Sequence, residues 1–151
     1  MADLLTMAET EIRARHKFFV DWYRGTCDLS EMEVSASCFA PNFRIIWPSG
    51  GYLAKEPLME ALASARNSTG PEFDIRIDID HAEVLSDEMC LMTFDEHQET
   101  ANGPNSRRGT AVFSRDPNAP NGVVRRRLQE AWISQAGHNT FHKELEYEGN
   151  E

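Results

Sequence analysis

Apolar residues recur at helical spacing from residue 6 to residue 23, and after residue 72 their period drops to two. Ile12, Phe19 and Tyr23, flanked by Phe18 and Trp22, share one side of a 3.6-residue repeat. TMAE (Thr6 to Glu9) has the form of a capping box, whose hydroxyl and carboxylate satisfy backbone donors reciprocally, and Gly25 suits the stop. SEME (Ser30 to Glu33) repeats that pattern and opens a short second helix carrying Val34, Cys38 and Phe39, which Pro41 ends. Phe43 to Trp47 then reads as a strand and Pro48-Ser49-Gly50-Gly51 as a turn. Lys55 to Arg66 follows as a third helix, with Pro57 in its first turn and Leu58, Leu62 and Ala65 inward. FDIRIDID alternates Phe73, Ile75, Ile77 and Ile79 with Asp74, Arg76, Asp78 and Asp80, a strand with one wet face, and runs on through a bulge to Leu85. Met89 to Glu99, Arg107 to Arg115 and Val123 to Ser134 are three further strands separated by turn-rich segments. Helices first and an antiparallel meander after them predict an α+β layer fold.

Composition narrows the function classes more than it selects one. At 151 residues, 40% of them apolar and 26% charged, the chain has the size and make-up of one soluble domain. A formal charge of -10 opposes binding to nucleic acid or to an anionic membrane surface. No apolar run reaches the ~20 residues of a spanning helix, and MADLLTMAETE lacks the form of a secretory signal. Three separated cysteines (Cys27, Cys38, Cys90) predict neither a disulfide framework nor a zinc site, and a reducing cytoplasm is expected. Residues 1–134 are read as one domain and 135–151 as a polar, acidic tail.

Two passages, with the element order, carry a resemblance across residues 6 to 134. CFAPNFRIIWPSGG, set between helices, is similar to a strand and turn of the nuclear transport factor 2-like (cystatin-like) superfamily. QEAWIS resembles the final strand of its SnoaL-like and uncharacterised branches. The resemblance implies a cone-shaped, curved antiparallel sheet wrapped around a long N-terminal helix, with two further short helices and a pocket at the wide end. It also implies a homodimer through the convex sheet face; no cofactor is expected. Ketosteroid isomerases of this superfamily keep an Asp base just before the proline that ends the first strand, and Trp47 stands there in this chain. Their helical oxyanion Tyr falls near Phe19 or Val20. None of these three side chains can do that work, so ketosteroid isomerisation is excluded. Trp47 is then expected to form an apolar wall of the pocket, with Tyr52 at its entrance.

The remaining candidates depend on strand register. Regular hairpins centred on Asn102 and Ala119 pair Glu96 with Arg108 and Arg108 with Glu130, on one face with Met92, Phe94, Val112, Leu128 and Trp132. That face is assigned to the pocket, and a one-residue slip would invert the assignment. The other face carries Thr93, Asp95, His97, Arg107, Phe113, Arg125, Arg127 and Gln129. Glu96 and Glu130 are thus acid-base candidates, or half of an ion-paired rim. His97, two residues from Asp95, is a second candidate base. Phe19, Trp47, Tyr52, Arg108 and Trp132 are expected to line a site for a small apolar or aromatic ligand. His16 is expected to be a satisfied core or rim residue, and Cys38 and Cys90 inert core thiols. His138 and His142 have helical metal spacing but no third ligand, so no metal is expected. Arg125 and Arg127 are expected to face one way and Arg126 the other, in salt bridges with the aspartates of FDIRIDID or with a partner subunit. Three functions stay open: a small-molecule-binding protein, a cofactor-independent acid-base enzyme (isomerase, lyase or cyclase), and an assembly module.

Overall fold

The computed structural model describes residues 3–133. The elements are α1 (Leu4–Arg24), α2 (Glu31–Ala36), β1 (Phe39–Ile46), β2 (Tyr52–Ala54), α3 (Lys55–Ser64), β3 (Asp74–Val84), β4 (Met89–Glu99), β5 (Asn105–Arg115) and β6 (Val123–Ile133). The expected α+β class holds. One six-stranded sheet, in the order β2-β1-β6-β5-β4-β3, carries the helices, and its ends stay open. It is antiparallel except where β1 runs parallel to β6, so the sheet is mixed.

α1 starts one turn earlier than the capping box proposed. Asp3 is the N-cap, and its carboxylate accepts from the Thr6 backbone N–H at 3.0 Å and from the Thr6 hydroxyl. Gly25 closes the helix in the left-handed region (φ 76°), as expected. At α2 the Ser30 side chain makes no capping bond. Asp28 accepts from the Ser30 N–H instead, so SEME is not a capping box. Phe39 belongs to β1, not to α2. Pro41 sits where the β1–β6 ladder is interrupted, between Phe39 and Arg44, the kind of strand position that tolerates a residue without a donor.

Three register irregularities, at Phe39/Arg44, Ile79/His81 and Val112/Phe113, bend the sheet toward α1. The concave face carries Cys90, Met92, Phe94, Ala111, Phe113, Val123 and Leu128, packed with Leu4, Ala8 and Ile12 of α1 and with Phe39 and Phe43 of β1. Beyond Gly25 the C-terminal turn of α1 is fastened from outside. Asn67 and Thr69, in the loop after α3, donate their N–H groups to the carbonyls of Trp22 and Tyr23, and the Trp22 indole donates to the Leu62 carbonyl at 2.6 Å. That end of α1 is therefore held at a fixed distance from α3 and from the sheet. Among the described residues no helix is long and apolar enough to cross a membrane. The proposed tail and the His138/His142 pair lie outside the described residues.

Candidate functional site

A cavity of about 130 Å³ opens where the fastened end of α1 diverges from the sheet. His16, Phe19 and Tyr23, spaced one turn apart on α1, form one wall, and Phe39, Phe43 and Ile45 of β1 with Leu58 and Leu62 of α3 form another. The sheet supplies a charged floor of Glu96, Arg107, Arg125 and Glu130, with Gln98 beside them. Phe19 packs edge-on to His16 (5.5 Å between centroids) and stacks on Tyr23 (6.2 Å).

The floor is electrostatically uneven. His16 Nδ1 lies 2.8 Å from the Ile12 carbonyl oxygen and Nε2 lies 2.9 Å from Glu96 Oε1. Both acceptors are filled only when both ring nitrogens carry hydrogen, so the geometry is that of an imidazolium on a carboxylate. Burial alone would push the Glu96 carboxyl up. The His16 hydrogen bond and charge, the Gln98 amide and Arg107 outweigh burial and hold it at about 2. Glu130 is the opposite case. Burial first, then the Glu96 charge, push its carboxyl up to about 7, and Arg107 and Arg125 offset this only in part. Arg107 lies between the two carboxylates, 3.9 Å from Glu96 Oε2 and 3.8 Å from Glu130 Oε1. Those distances make ion pairs rather than hydrogen bonds, and Arg107 Nε has no hydrogen-bond partner. Arg125 is 1% exposed, with its guanidinium carbon 5.6 Å from the Phe39 ring centre and 5.5 Å from that of Phe113. Its Nε and Nη2 also lack hydrogen-bond partners. Burial pushes the Tyr23 hydroxyl up to about 12, with Glu96 and Glu130 adding to it, so it keeps its proton and is available as a donor.

No family model matches the chain, and no curated protein matches it by sequence. Solved structures do match. An NTF-2 like protein of unknown function from Pseudomonas aeruginosa superposes with a TM-score of 0.72 at 26% identity, over 85% of this chain and 99% of that one. A ketosteroid isomerase-like protein from Erwinia carotovora atroseptica gives 0.65 at 15% identity, over 89% and 99%. An uncharacterised protein with a cystatin-like fold from Caulobacter vibrioides gives 0.65 at 14% identity, over 89% and 93%. The chain has the nuclear transport factor 2-like fold. The cavity sits between the long helix and the concave sheet.

Within this NTF2-like frame, Glu96, Glu130 and Phe19 come together at the cavity. Arg108, His97, Trp47, Tyr52 and Trp132 are not among the residues that line it. The observed register differs by one residue from the expected one. Glu96 pairs with Arg107, and Arg108 pairs with Asp95 on the convex face, where it makes a bidentate ion pair at 2.8 and 3.1 Å. Val112 likewise turns to the convex face, and Arg107 and Phe113 turn inward. In β6, Phe113 pairs with Arg125 but Val112 with Arg127, leaving Arg126 as an extra, bulged residue. Arg125 and Arg127 therefore face opposite ways. Arg127 donates to the Asn42 and Arg126 carbonyls, and the expected salt bridges to FDIRIDID do not form.

His97 does not pair with Asp95. Its Nδ1 lies 2.7 Å from Ser106 Oγ and its Nε2 lies 3.1 Å from Asp78 Oδ2, a polar row across β3, β4 and β5 on the outer face. Trp47 packs against the core cluster, and its indole covers Gly51 so closely that a Cβ there would collide with Nε1. Tyr52 is 65% exposed on the outer sheet edge, with Arg44 stacked over it. Trp132 is 55% exposed beneath the Arg107 guanidinium (4.7 Å), at the mouth rather than the floor. Cys38 and Cys90 are fully buried, as expected. His16 is buried and satisfied, also as expected, but it faces the cavity.

Tyr23, Arg107 and Arg125 were missed as site residues. Tyr23 was legible from its helical spacing with Phe19; the two arginines required the register. Among the described residues no group of three or more His, Cys, Asp or Glu side chains could hold a metal.

Proposed function

We propose that the protein binds a small organic molecule in the cavity among α1, α3 and the concave sheet, as a SnoaL-like binding protein without metal or tight cofactor. One observation carries this reading: a pocket with aromatic walls ends on four charged side chains whose hydrogen-bonding capacity is only partly used. Such a combination of apolar lining and a few convergent polar groups is what ligand sites have in common. A thermal-shift screen of metabolites with up to about ten non-hydrogen atoms tests it, with hits checked by co-crystallisation. Hits that stabilise the protein but lie outside the cavity would overturn the assignment.

The carboxyl pair favours a second reading, general acid-base catalysis on the bound molecule. Glu96 is fixed as an anion, whereas Glu130 exchanges its proton near neutrality, and two carboxyls driven apart in this way can divide the roles of electrostatic stabiliser and proton carrier. Turnover of any hit, lost in Glu130→Gln while binding persists, would establish it. Binding without turnover leaves the first reading. A homodimer through the convex face is part of the proposal, supported by a groove of about 410 Å³ that Ile46, Tyr52 and Val112 line with Arg44, Thr110 and Arg127. Sedimentation of the native chain against Val112→Arg tests the dimer, and a native monomer refutes it.

A further inference from the structure

We infer that the ligand of this cavity is a compact monocarboxylic acid, held as its anion by Arg125 and Arg107 with its apolar body against Phe19 and Leu62. The inference rests on the cavity being the binding site and specifies what enters it. Arg125 is 1% exposed and lines the cavity, yet its Nε and Nη2 have no hydrogen-bond partner, and Arg107 Nε has none. A buried guanidinium without hydrogen bonds is costly, and a carboxylate is the group whose two oxygens match its fork.

Charge selects an anion. The cavity sets His16, Arg107 and Arg125 against Glu96 and Glu130, so its basic groups outnumber its acidic ones, and a space of this size holds one carboxylate beside an apolar body. Size selects a compact body. The cavity, at about 130 Å³, is slightly smaller than an engineered apolar cavity of roughly 150 Å³ that holds benzene.

Binding also takes up a proton. The groups facing Glu130 are Glu96 from β4, Arg107 from β5, Arg125 from its own strand, and His16 and Tyr23 from α1, while β1, β3 and α3 contribute only apolar side chains. A second anion beside Glu130 disfavours its ionisation, so acid affinity rises as pH falls from 8.5 to 6 while that of a neutral analogue stays level.

Three matched pairs test the inference by calorimetry on the full chain: isobutyrate with isobutyramide, pivalate with pivalamide, and benzoate with benzamide. At least one acid should bind about tenfold to a hundredfold tighter than its amide at pH 7. Arg125→Met should erase that preference and keep the amide affinity, and Arg107→Gln should reduce it. If Arg125→Met does not fold, the pH dependence in the native chain and Arg107→Gln decide. Equal affinities of acid and amide, or a preference indifferent to pH and to Arg107→Gln, overturn the carboxylate inference but leave cavity binding standing. Failure of all six compounds to bind overturns both.

Discussion

Replacing Glu130 with glutamine isolates the cavity's electrostatics in one measurable slope. Glutamine has the shape and neutrality of the protonated carboxyl, so the substitution removes titration with little change in packing. Native Glu130 keeps its proton up to about pH 7, against 4.5 for an unperturbed glutamate, because burial and the Glu96 charge penalise its ionised form. Between those values the folded chain binds more protons than the unfolded chain, so the stability contributed by this group falls as pH rises. The contribution is fully present below pH 4.5 and lost above pH 7, and at about 1.36 kcal/mol for each pH unit between those limits it amounts to about 3 kcal/mol. The stability of Glu130→Gln relative to the native chain should therefore swing by about 3 kcal/mol in the variant's favour between pH 4.5 and 8. Urea unfolding at half-unit steps measures it, and thermal melts should show the same swing as roughly 6–12 °C. Glu96 does not blur the window. Its carboxyl, held at about 2, contributes stability that is present above pH 4.5 and lost only as pH falls through 2. A difference that stays flat from pH 4.5 to 8 would refute the reasoning, since it would mean that Glu130 is as well solvated in the fold as out of it.

Arg107→Gln removes a charge that holds the Glu130 carboxyl down, so the midpoint followed by carboxyl NMR should climb. Arg108→Gln, on the outer face, should leave it unmoved and cost under about 1 kcal/mol. His16→Ala strips the buried Glu96 carboxylate of its hydrogen-bonded cation and should cost roughly 3–5 kcal/mol at pH 7. Combining it with Glu96→Gln should recover part of that loss in denaturant unfolding, and simple additivity would show that the two are not coupled. Cys27 alone should react with a thiol reagent in the native state, because Cys38 and Cys90 have no exposure and burial pushes their thiols up to about 12 and about 11. Labelling of Cys38 as fast as Cys27 would mean that the α1–β1 packing opens readily.

Element type was legible in this chain wherever one period dominated. Met89–Glu99 forms β4 with the boundaries its alternation predicts, and Gly25 ends α1 where the apolar stripe ends. The site was half legible. Glu96 and Glu130 were identifiable as inward carboxyls because each continues an apolar run on its own strand. Their partner was not, because Gln98 pairs with Asn105 and leaves an even number of residues in the turn, whereas centring on Asn102 requires an odd one. Nothing local to Asn102-Gly103-Pro104 decides between the two, yet the choice exchanges Arg107 for Arg108 across the whole thickness of the sheet. The early helix boundary failed for a different reason. A proline after Phe39 reads as a helix stop, but an interrupted ladder accommodates it equally well, and the packing of Phe39 against Phe43 and Arg125 favours the strand.

Arg126, the extra residue in β6, behaves like a dislocation in a crystal lattice. On either side of it the strand is regular, but the two halves are out of phase, so a single strand directs Arg125 from one phase and Leu128 and Glu130 from the other into the same interior. No substitution at Arg126 can undo that offset, because it resides in the number of residues and not in their kind. Deletion of the residue would bring the halves into step and leave Arg125 inward, still paired with Phe113. The bulge thus decides which arginine of the run enters the cavity: an uninterrupted ladder of the same residues would set Arg126 against Phe113 inside and Arg125 against Ser114 outside.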